Sequence, residues 1–389
     1  MLKNENKMID RFVIPLILGF FSVFLANYWI SGNFLPFFDR PYRYSGDLQF
    51  LFSTVKTMIE NSWYFTNERM GYPFASVLFD YPVPDYASLL FLKISGCLTN
   101  SPFAAVNLYY LTGYFLVSII TYRIIDSFNI NRYLCIAGTI VFNFTWFHLY
   151  RVEHLFYTWY FIVPLYFYIT FKYFSDHPPF FGLKETLIKK ILLISSLLII
   201  STFGVYYTFF GIMLISAGAV GSFLLKRNYA KLISAAIVSF ILISGVTFCV
   251  APNFVYKINN GVNSEVAKRS PVESEIYGLK ISQMLLPSKN NIINYVTKRI
   301  SRHTLQSPLS NENQSSSLGI PGAIGFLILI SVLIFGHFMR KIDKNLLILS
   351  YLTGVMFLWS TIGGFSSLFA LFITPSLRGW NRISIFILF

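Results

Sequence analysis

Apolar runs of about 20 residues recur along this chain, separated by polar turns or by longer polar segments. A helix of about that length crosses the ~30 Å hydrocarbon core of a bilayer, whereas outer-membrane barrels give weaker, alternating segments. The pattern therefore predicts an all-α membrane protein with about nine or ten transmembrane helices. The clearest predicted spans cover residues 12–30, 104–125, 134–150, 155–172, 191–206, 208–225, 232–250, 320–339 and 345–362.

The charges support this prediction and orient the chain. Only 12% of the residues are charged, about half the share typical of soluble domains. If the spans alternate in direction, basic residues gather in the connections on one side, which predicts a cytoplasmic N-terminus. The basic residues of these connections are Arg123, Arg132, Lys172, Lys184, Lys189, Lys190, Lys226, Arg227, Lys231, Arg340, Lys341 and Lys344. This topology explains the net charge of +14 without a nucleic-acid partner.

The whole chain, residues 1–389, is predicted to be a single polytopic membrane domain with two long outer segments. The first, residues 31–103, contains an amphipathic stretch at 47–61 and is expected to carry helices lying on the membrane surface. The second, residues 252–319, is the most polar part and ends in a Ser-rich stretch, 311–317, expected to be a mobile loop. Residues 383–389 are apolar but too few to span, so a C-terminus truncated within a helix is expected.

Asp47 is the first candidate catalytic residue, because it opens the amphipathic stretch just beyond the first span. A carboxylate at that position can take a proton from an acceptor hydroxyl or help to bind a divalent cation. The alternative is a structural role, in which Asp47 caps the N-terminus of the helix that follows. The two roles are compatible.

Cationic and aromatic residues near the outer face are candidates for substrate binding. Arg151 and His154 lie in a short outer turn, where they could hold a phosphate group. Arg378 and Arg382 are four residues apart and would share one face of a helix. The structural alternatives are an interfacial anchor and a charged helix start. The second outer segment and an outer turn add Arg269, Glu273, Glu275, Tyr206 and Tyr207.

Several short features together resemble the GT-C superfamily of polytopic membrane glycosyltransferases, in its bacterial YfhO-like and O-antigen-modifying branches. They are Gly46-Asp47 in the first outer segment, the turn from Phe147 to His154 that leads into Pro164, residues 204–207, and residues 378–382. The resemblance extends over nearly the whole chain. Walker, G-x-G-x-x-G, H-E-x-x-H and G-x-S-x-G motifs are absent from the sequence.

The resemblance implies sugar transfer at the periplasmic face of the inner membrane. A hexose or pentose would pass from a polyprenyl-phosphate carrier to a glycan or lipid acceptor, with membrane lipids around the protein. Asp47 would be the base, and Arg151, His154, Arg378 and Arg382 would hold the carrier phosphate. The resemblance leaves open whether Mg²⁺ or Mn²⁺ is a cofactor, although no second acidic residue stands beside Asp47 in the sequence. The alternatives are a flippase for lipid-linked sugars and a non-catalytic membrane assembly protein.

Overall fold

The computed structural model describes residues 9–181, 186–287, 294–339 and 341–389. Within these ranges most residues are helical and only two strands of two residues each occur, which confirms the expected all-α class. Five of the described helices are long and apolar enough to cross a membrane, namely Arg11–Ser31, Pro102–Asp126, Val205–Lys226, Tyr229–Asn260 and Gly319–Phe338. Residues 1–8, Lys184 and Arg340, which the charge pattern placed on the cytoplasmic side, lie outside the described residues.

The first half of the chain contains the first outer segment and the first two long helices. A π-helical turn at Ile9–Val13 leads into the first of its helices. The helices are α1 (Ile14–Ser31), α2 (Asp47–Glu60), α3 (Tyr86–Thr99), α4 (Pro102–Asp126), α5 (Arg132–Asn143), α6 (Trp146–Tyr150), α7 (Ile162–Phe174) and α8 (Leu187–Ser201). Two short strands, β1 (Thr66–Asn67) and β2 (Ser76–Val77), pair antiparallel in the segment between α2 and α3. A 3-10 turn lies at Leu155–Thr158.

The second half contains the longest helix and the second outer segment. Its helices are α9 (Val205–Lys226), α10 (Tyr229–Asn260), α11 (Glu273–Ile276), α12 (Ile281–Leu285), α13 (Asn294–Gln306), α14 (Gly319–Phe335), α15 (Lys344–Ser360), α16 (Phe365–Phe372) and α17 (Ser384–Leu388). Short 3-10 turns lie at Glu312–Ser316, Gly336–Phe338 and Trp380–Ile383.

Several predicted spans correspond to shorter helices. The apolar run 134–150 is divided into α5 and α6, because Thr145 starts a new helix by accepting a hydrogen bond from the His148 backbone N–H. The helices α5, α7, α8 and α15 have 12, 13, 15 and 17 residues. At 1.5 Å per residue such helices are about 18–26 Å long, less than the ~30 Å core. The total of nine or ten spans therefore stays a prediction.

Small residues allow the helices to pack closely. Helix α1 packs along α4, and α9 lies between α7 and α10. A Cβ at Gly211 would come within 2.6 Å of the Tyr166 ring, and one at Gly218 within 2.4 Å of Thr170 Cγ2. Larger residues at these two positions would push α9 away from α7, because neither neighbour has free space to yield.

The two long outer segments meet on one side of the helices. The Asn253 side-chain amide, near the end of α10, donates a hydrogen bond to the Phe79 carbonyl at 2.7 Å. The Phe79 ring stacks on Tyr256, with ring centroids 4.4 Å apart. The C-terminal residues then return to the interior, where Trp380 and Phe386 are fully buried. This arrangement brings polar residues from distant parts of the chain to one face.

Candidate functional site

Asp47 and His154 form the most exposed part of the site. His154 Nδ1 donates a hydrogen bond to Asp47 Oδ2 at 2.8 Å, and the two side chains are 36% and 72% exposed. Gly46 has a φ of +55°, and a Cβ at this position would lie 3.1 Å from Glu153 Oε2. A glycine before Asp47 therefore both permits the turn and leaves room for Glu153.

The alternative prediction, in which the Asp47 side chain caps the N-terminus of α2, is wrong. Helix α2 begins at Asp47 itself, Gly46 holds the N-cap position, and no side chain caps the helix. The Asp47 carboxylate is bound to His154 rather than to the free backbone N–H groups of α2. Its position therefore serves a contact between two segments 107 residues apart in sequence.

Glu312 joins the cationic residues of the site. Its Oε2 accepts a hydrogen bond from Arg151 Nη1 at 2.6 Å, and its Oε1 lies 3.5 Å from Arg382 Nη2. The carboxylate also lies 3.6 Å from His154 Nε2 and accepts a bond from the Asn381 amide at 3.3 Å. The Arg151, Arg382 and Glu312 side chains are only 2%, 9% and 20% exposed. One carboxylate thus connects three parts of the chain.

The charges of this cluster set its protonation states. Burial alone would raise the pKa of Glu312, but Arg151 and Arg382 outweigh it and lower that pKa from 4.5 to about 2. Burial lowers the pKa of His154, and Arg151 lowers it further. Around neutral pH, therefore, Glu312 is ionised and His154 is neutral. A neutral His154 that donates from Nδ1 has its proton on that nitrogen.

Both arginines have donors left over. Arg151 Nε and Nη2 and Arg382 Nε are buried without a hydrogen-bond partner among the described residues. The Arg382 Cζ lies 4.0 Å from the Tyr157 ring centroid and 4.2 Å from that of Tyr206. Unpartnered buried donors are costly and often mark the place of a ligand or an ordered water. The aromatic rings hold the Arg382 guanidinium by cation–π contacts.

A cavity of about 300 Å³ lies beside this cluster. Arg151, Glu153, His154 and Glu312 form its ionisable part, and Trp146 and Tyr150 add aromatic rings. Amides and hydroxyls complete the wall, from Gln283, Asn311, Gln314, Ser315 and Ser317. The cavity therefore combines the donors and rings that bind a polar ligand carrying a negative group.

A second ionic cluster contains the other predicted residues. Arg378 Nη1 donates to Glu273 Oε2 at 2.7 Å, and Arg269 Nη1 lies 3.7 Å from the same oxygen. Glu275 accepts a bond from the Ser367 hydroxyl at 2.9 Å. Burial alone would raise the pKa of Glu273, but its bond from Arg378 and the other nearby groups lower it. These residues join the second outer segment to the C-terminal part of the chain.

The prediction that Arg378 and Arg382 share a helix face is wrong. Arg378 lies in an irregular segment, and Arg382 belongs to the 3-10 turn Trp380–Ile383. Because they are not on one helix, Arg378 binds Glu273 whereas Arg382 lies beside Glu312. Tyr206 and Tyr207 do begin a helix, α9. Tyr206 stacks on Arg382, and the buried Tyr207 hydroxyl donates to the Tyr157 carbonyl at 2.7 Å.

Sequence analysis missed Glu312 as a site residue. The Ser-rich stretch expected to be a mobile loop forms a 3-10 turn that begins at this residue. One feature could have identified it: Glu312 is the only acidic residue between Glu275 and Asp343, and the segment before it is strongly basic. A lone carboxylate among so many cations is a natural ion-pair partner.

The residues present do not fit a divalent cation. Glu312 is occupied by the two arginines, and Asp47 is bound to His154. Within the described ranges, no group of three or more His, Cys, Asp or Glu side chains is placed to hold a metal ion. The Mg²⁺ or Mn²⁺ left open by the resemblance has no visible ligand set, and no step below depends on it.

No protein-family model matches the chain, and neither does any curated protein or solved structure. The contacts of the site are therefore the basis on which a function has to be argued.

We expect Glu273→Gln to lower the apparent melting temperature by about 2 °C, because the partly exposed Arg378 loses its charged partner. The Glu273 side chain is 17% exposed and Arg378 is 32% exposed, so water screens much of the pair. Glu265→Gln is a matched control, since the Glu265 carboxylate accepts a bond from the neighbouring Ser264 and forms no ion pair among the described residues. The measurement is tryptophan fluorescence on heating in detergent. Equal melting temperatures for Glu273→Gln and the parent chain would contradict a structural role for this ion pair.

Proposed function

We propose that this protein is a membrane glycosyltransferase of the GT-C type. It moves a sugar from a polyprenyl-phosphate carrier to a hydroxyl of a glycan or lipid acceptor, at the outer face of a bacterial inner membrane. The observation that carries the proposal is the pairing of the exposed Asp47 carboxylate with His154, which lines a cavity whose wall also includes Arg151. A base and an anion site side by side are what a transfer from a phosphate ester requires.

Asp47 acts as the general base in this proposal. His154 holds Oδ2, and Oδ1 has no hydrogen bond among the described residues. The acceptor hydroxyl gives its proton to Asp47, and its oxygen forms a bond to the anomeric carbon of the sugar. The bond between that carbon and the carrier phosphate breaks, and its electron pair stays on the phosphate oxygen.

Arg151 and Arg382 stabilise the leaving phosphate. The charge on the phosphate increases in the transition state, and fixed donors in a site with little water stabilise that charge most effectively. Glu312 positions both groups, because its two oxygens contact one arginine each.

The remaining predicted residues act through these groups. Tyr206 holds Arg382 from one side, and Tyr207 fixes the Tyr157 backbone on the other. The second ionic cluster keeps the second outer segment attached near the 3-10 turn that carries Arg382. Its members are Arg269, Glu273, Glu275 and Arg378. In this proposal these residues support the anion site rather than contact the sugar.

The test is a reaction of the full chain in vesicles loaded with radiolabelled polyprenyl-phosphate sugar and a mixture of glycan acceptors. Release of the free carrier phosphate together with a labelled acceptor supports the transferase. Movement of the intact donor across the bilayer, detected with a membrane-impermeant periodate probe, would support the flippase instead. An intact and immobile donor would refute both and favour the assembly protein.

A further inference from the structure

The amphipathic helix α13 has one basic face that the proposed sugar transfer does not use. Helix α13 lies between α10 and α14, which are both long and apolar enough to span a membrane. The polypeptide between two such helices starts and ends at the same membrane surface. Its side is the side of Asp47, because α10 contacts Phe79 of the first outer segment and Glu312 contacts His154.

The two faces of α13 have different surroundings. Ile300 is 8% exposed and forms part of the cavity wall together with Thr304. At about 100° per residue, Lys298 and Arg302 project about 160° away from Ile300, and Arg299 projects about 100° away from it. All three are exposed. The cavity and the basic face therefore occupy opposite sides of one short helix.

The cations of this face have no carboxylate partner among the described residues. Within the part of the chain that the structure describes, no carboxylate lies within ion-pair distance of Lys298, Arg299 or Arg302. Arg299 has a cation–π contact, with its Cζ 5.1 Å from the Tyr295 centroid. Helix α13 contains no acidic residue that could neutralise them.

Two apolar side chains border the basic face. Tyr295 is 64% exposed and Leu305 is 87% exposed. A helix that presents Lys and Arg beside exposed aromatic and aliphatic residues is typical of the interface between a bilayer and water. A soluble polyanion would satisfy the cations but would leave Leu305 in water. A lipid surface with negative headgroups satisfies both requirements.

We propose that the basic face of α13, defined by Tyr295, Lys298, Arg299, Arg302 and Leu305, binds the headgroups of anionic lipids at the membrane surface. The lipid holds the helix in place, and with it the wall of the cavity that contains Ile300 and Thr304. Each cation near a negative surface contributes to the attraction, and the contribution falls within a Debye length.

The test is backbone amide exchange of α13 in the full chain, reconstituted in nanodiscs of phosphatidylcholine with or without phosphatidylglycerol. We expect exchange to be about tenfold slower with phosphatidylglycerol, and the difference to vanish at high salt. Equal exchange in the two lipids would overturn the proposal. Protection that arises only when soluble dextran sulfate is added would overturn it in favour of an acidic polymer.

Substitutions give a second comparison. Combining Lys298→Gln, Arg299→Gln and Arg302→Gln should abolish the lipid-dependent protection. A control variant removes the same amount of charge elsewhere on the same side of the membrane, by Lys56→Gln, Lys257→Gln and Lys268→Gln. This control should keep the lipid-dependent protection of α13. Equal losses in both variants would show a nonspecific effect of net charge and contradict a defined binding face. Because exchange is measured without substrate, the result does not depend on whether sugar transfer occurs.

Discussion

Replacing Asp47 by asparagine is expected to lower the rate of sugar transfer by about 10²–10⁴-fold, the usual contribution of a general base. The asparagine oxygen can still accept the bond from His154 Nδ1, so the fold and the contact of 2.8 Å between the segments are preserved. What is lost is the ability to take the proton from the acceptor hydroxyl. Asp47→Ala should show a similar loss of rate and should also release His154.

The measurement is the initial rate of labelled-acceptor formation, with membrane insertion and melting temperature checked for each variant. Asp80→Asn is a suitable control, because Asp80 lies in the same outer segment and its carboxylate accepts a bond from the Asn263 amide. Its rate should equal that of the parent chain. Full transfer by both Asp47 variants would remove Asp47 from the chemistry and leave it as a contact between segments.

Replacing Glu312 by glutamine is expected to destabilise the fold by about 3 kcal/mol. Removal of one member of a buried ion-pair cluster leaves its partners uncompensated, and Arg151 and Arg382 are 2% and 9% exposed. The lowered pKa of Glu312 indicates a loss of stability of the same magnitude. A fall from 4.5 to about 2 corresponds to roughly 3 kcal/mol of stability at neutral pH.

The sign of the pH dependence follows from the direction of that shift. The pKa of Glu312 is lower in the folded protein, so its contribution is complete above pH 4.5 and is lost as the pH falls to about 2. The parent chain should lose stability in this window, and Glu312→Gln should lack that part of the loss. The measurement is the free energy of unfolding of both proteins, obtained by denaturant unfolding in detergent at a series of pH values.

Glu153→Gln is the matched control for this prediction. Glu153 also lines the cavity, but its carboxylate accepts a bond from the Ser45 hydroxyl rather than from an arginine. We expect less than half of the loss seen for Glu312→Gln. Equal stability of Glu312→Gln and the parent chain would show that the two arginines find other partners.

The long apolar helices could be predicted because they depend on composition alone. The predicted runs 104–125 and 208–225 agree with Pro102–Asp126 and Val205–Lys226 to within three residues. The division of 134–150 at Thr145 was not predicted, because it depends on a single side-chain bond to the His148 backbone. Hydropathy does not report such a bond.

The ion pairs of the site depend on the tertiary fold. Arg151 and Glu312 are 161 residues apart in sequence, and Arg382 is 70 residues beyond Glu312. The lone acidic position of Glu312 marks it as a possible ion-pair partner, but no local pattern shows which arginines it pairs with. The positions of Asp47, Arg151, His154 and Arg382 near one predicted face identify them as candidates for the site. Their contact partners depend on the tertiary fold.

The length of α10 determines how far the site stands from the middle of the bilayer. Its 32 residues make a helix about 48 Å long, and the hydrocarbon core takes only ~30 Å of that. Asn253 and Tyr256, which attach the first outer segment, are among the last eight residues of this helix. In the proposed transferase, this attachment would hold Asp47 at a constant distance beyond the hydrocarbon core. A carrier whose tail stays dissolved in the bilayer would then present its phosphate to the site without leaving the membrane.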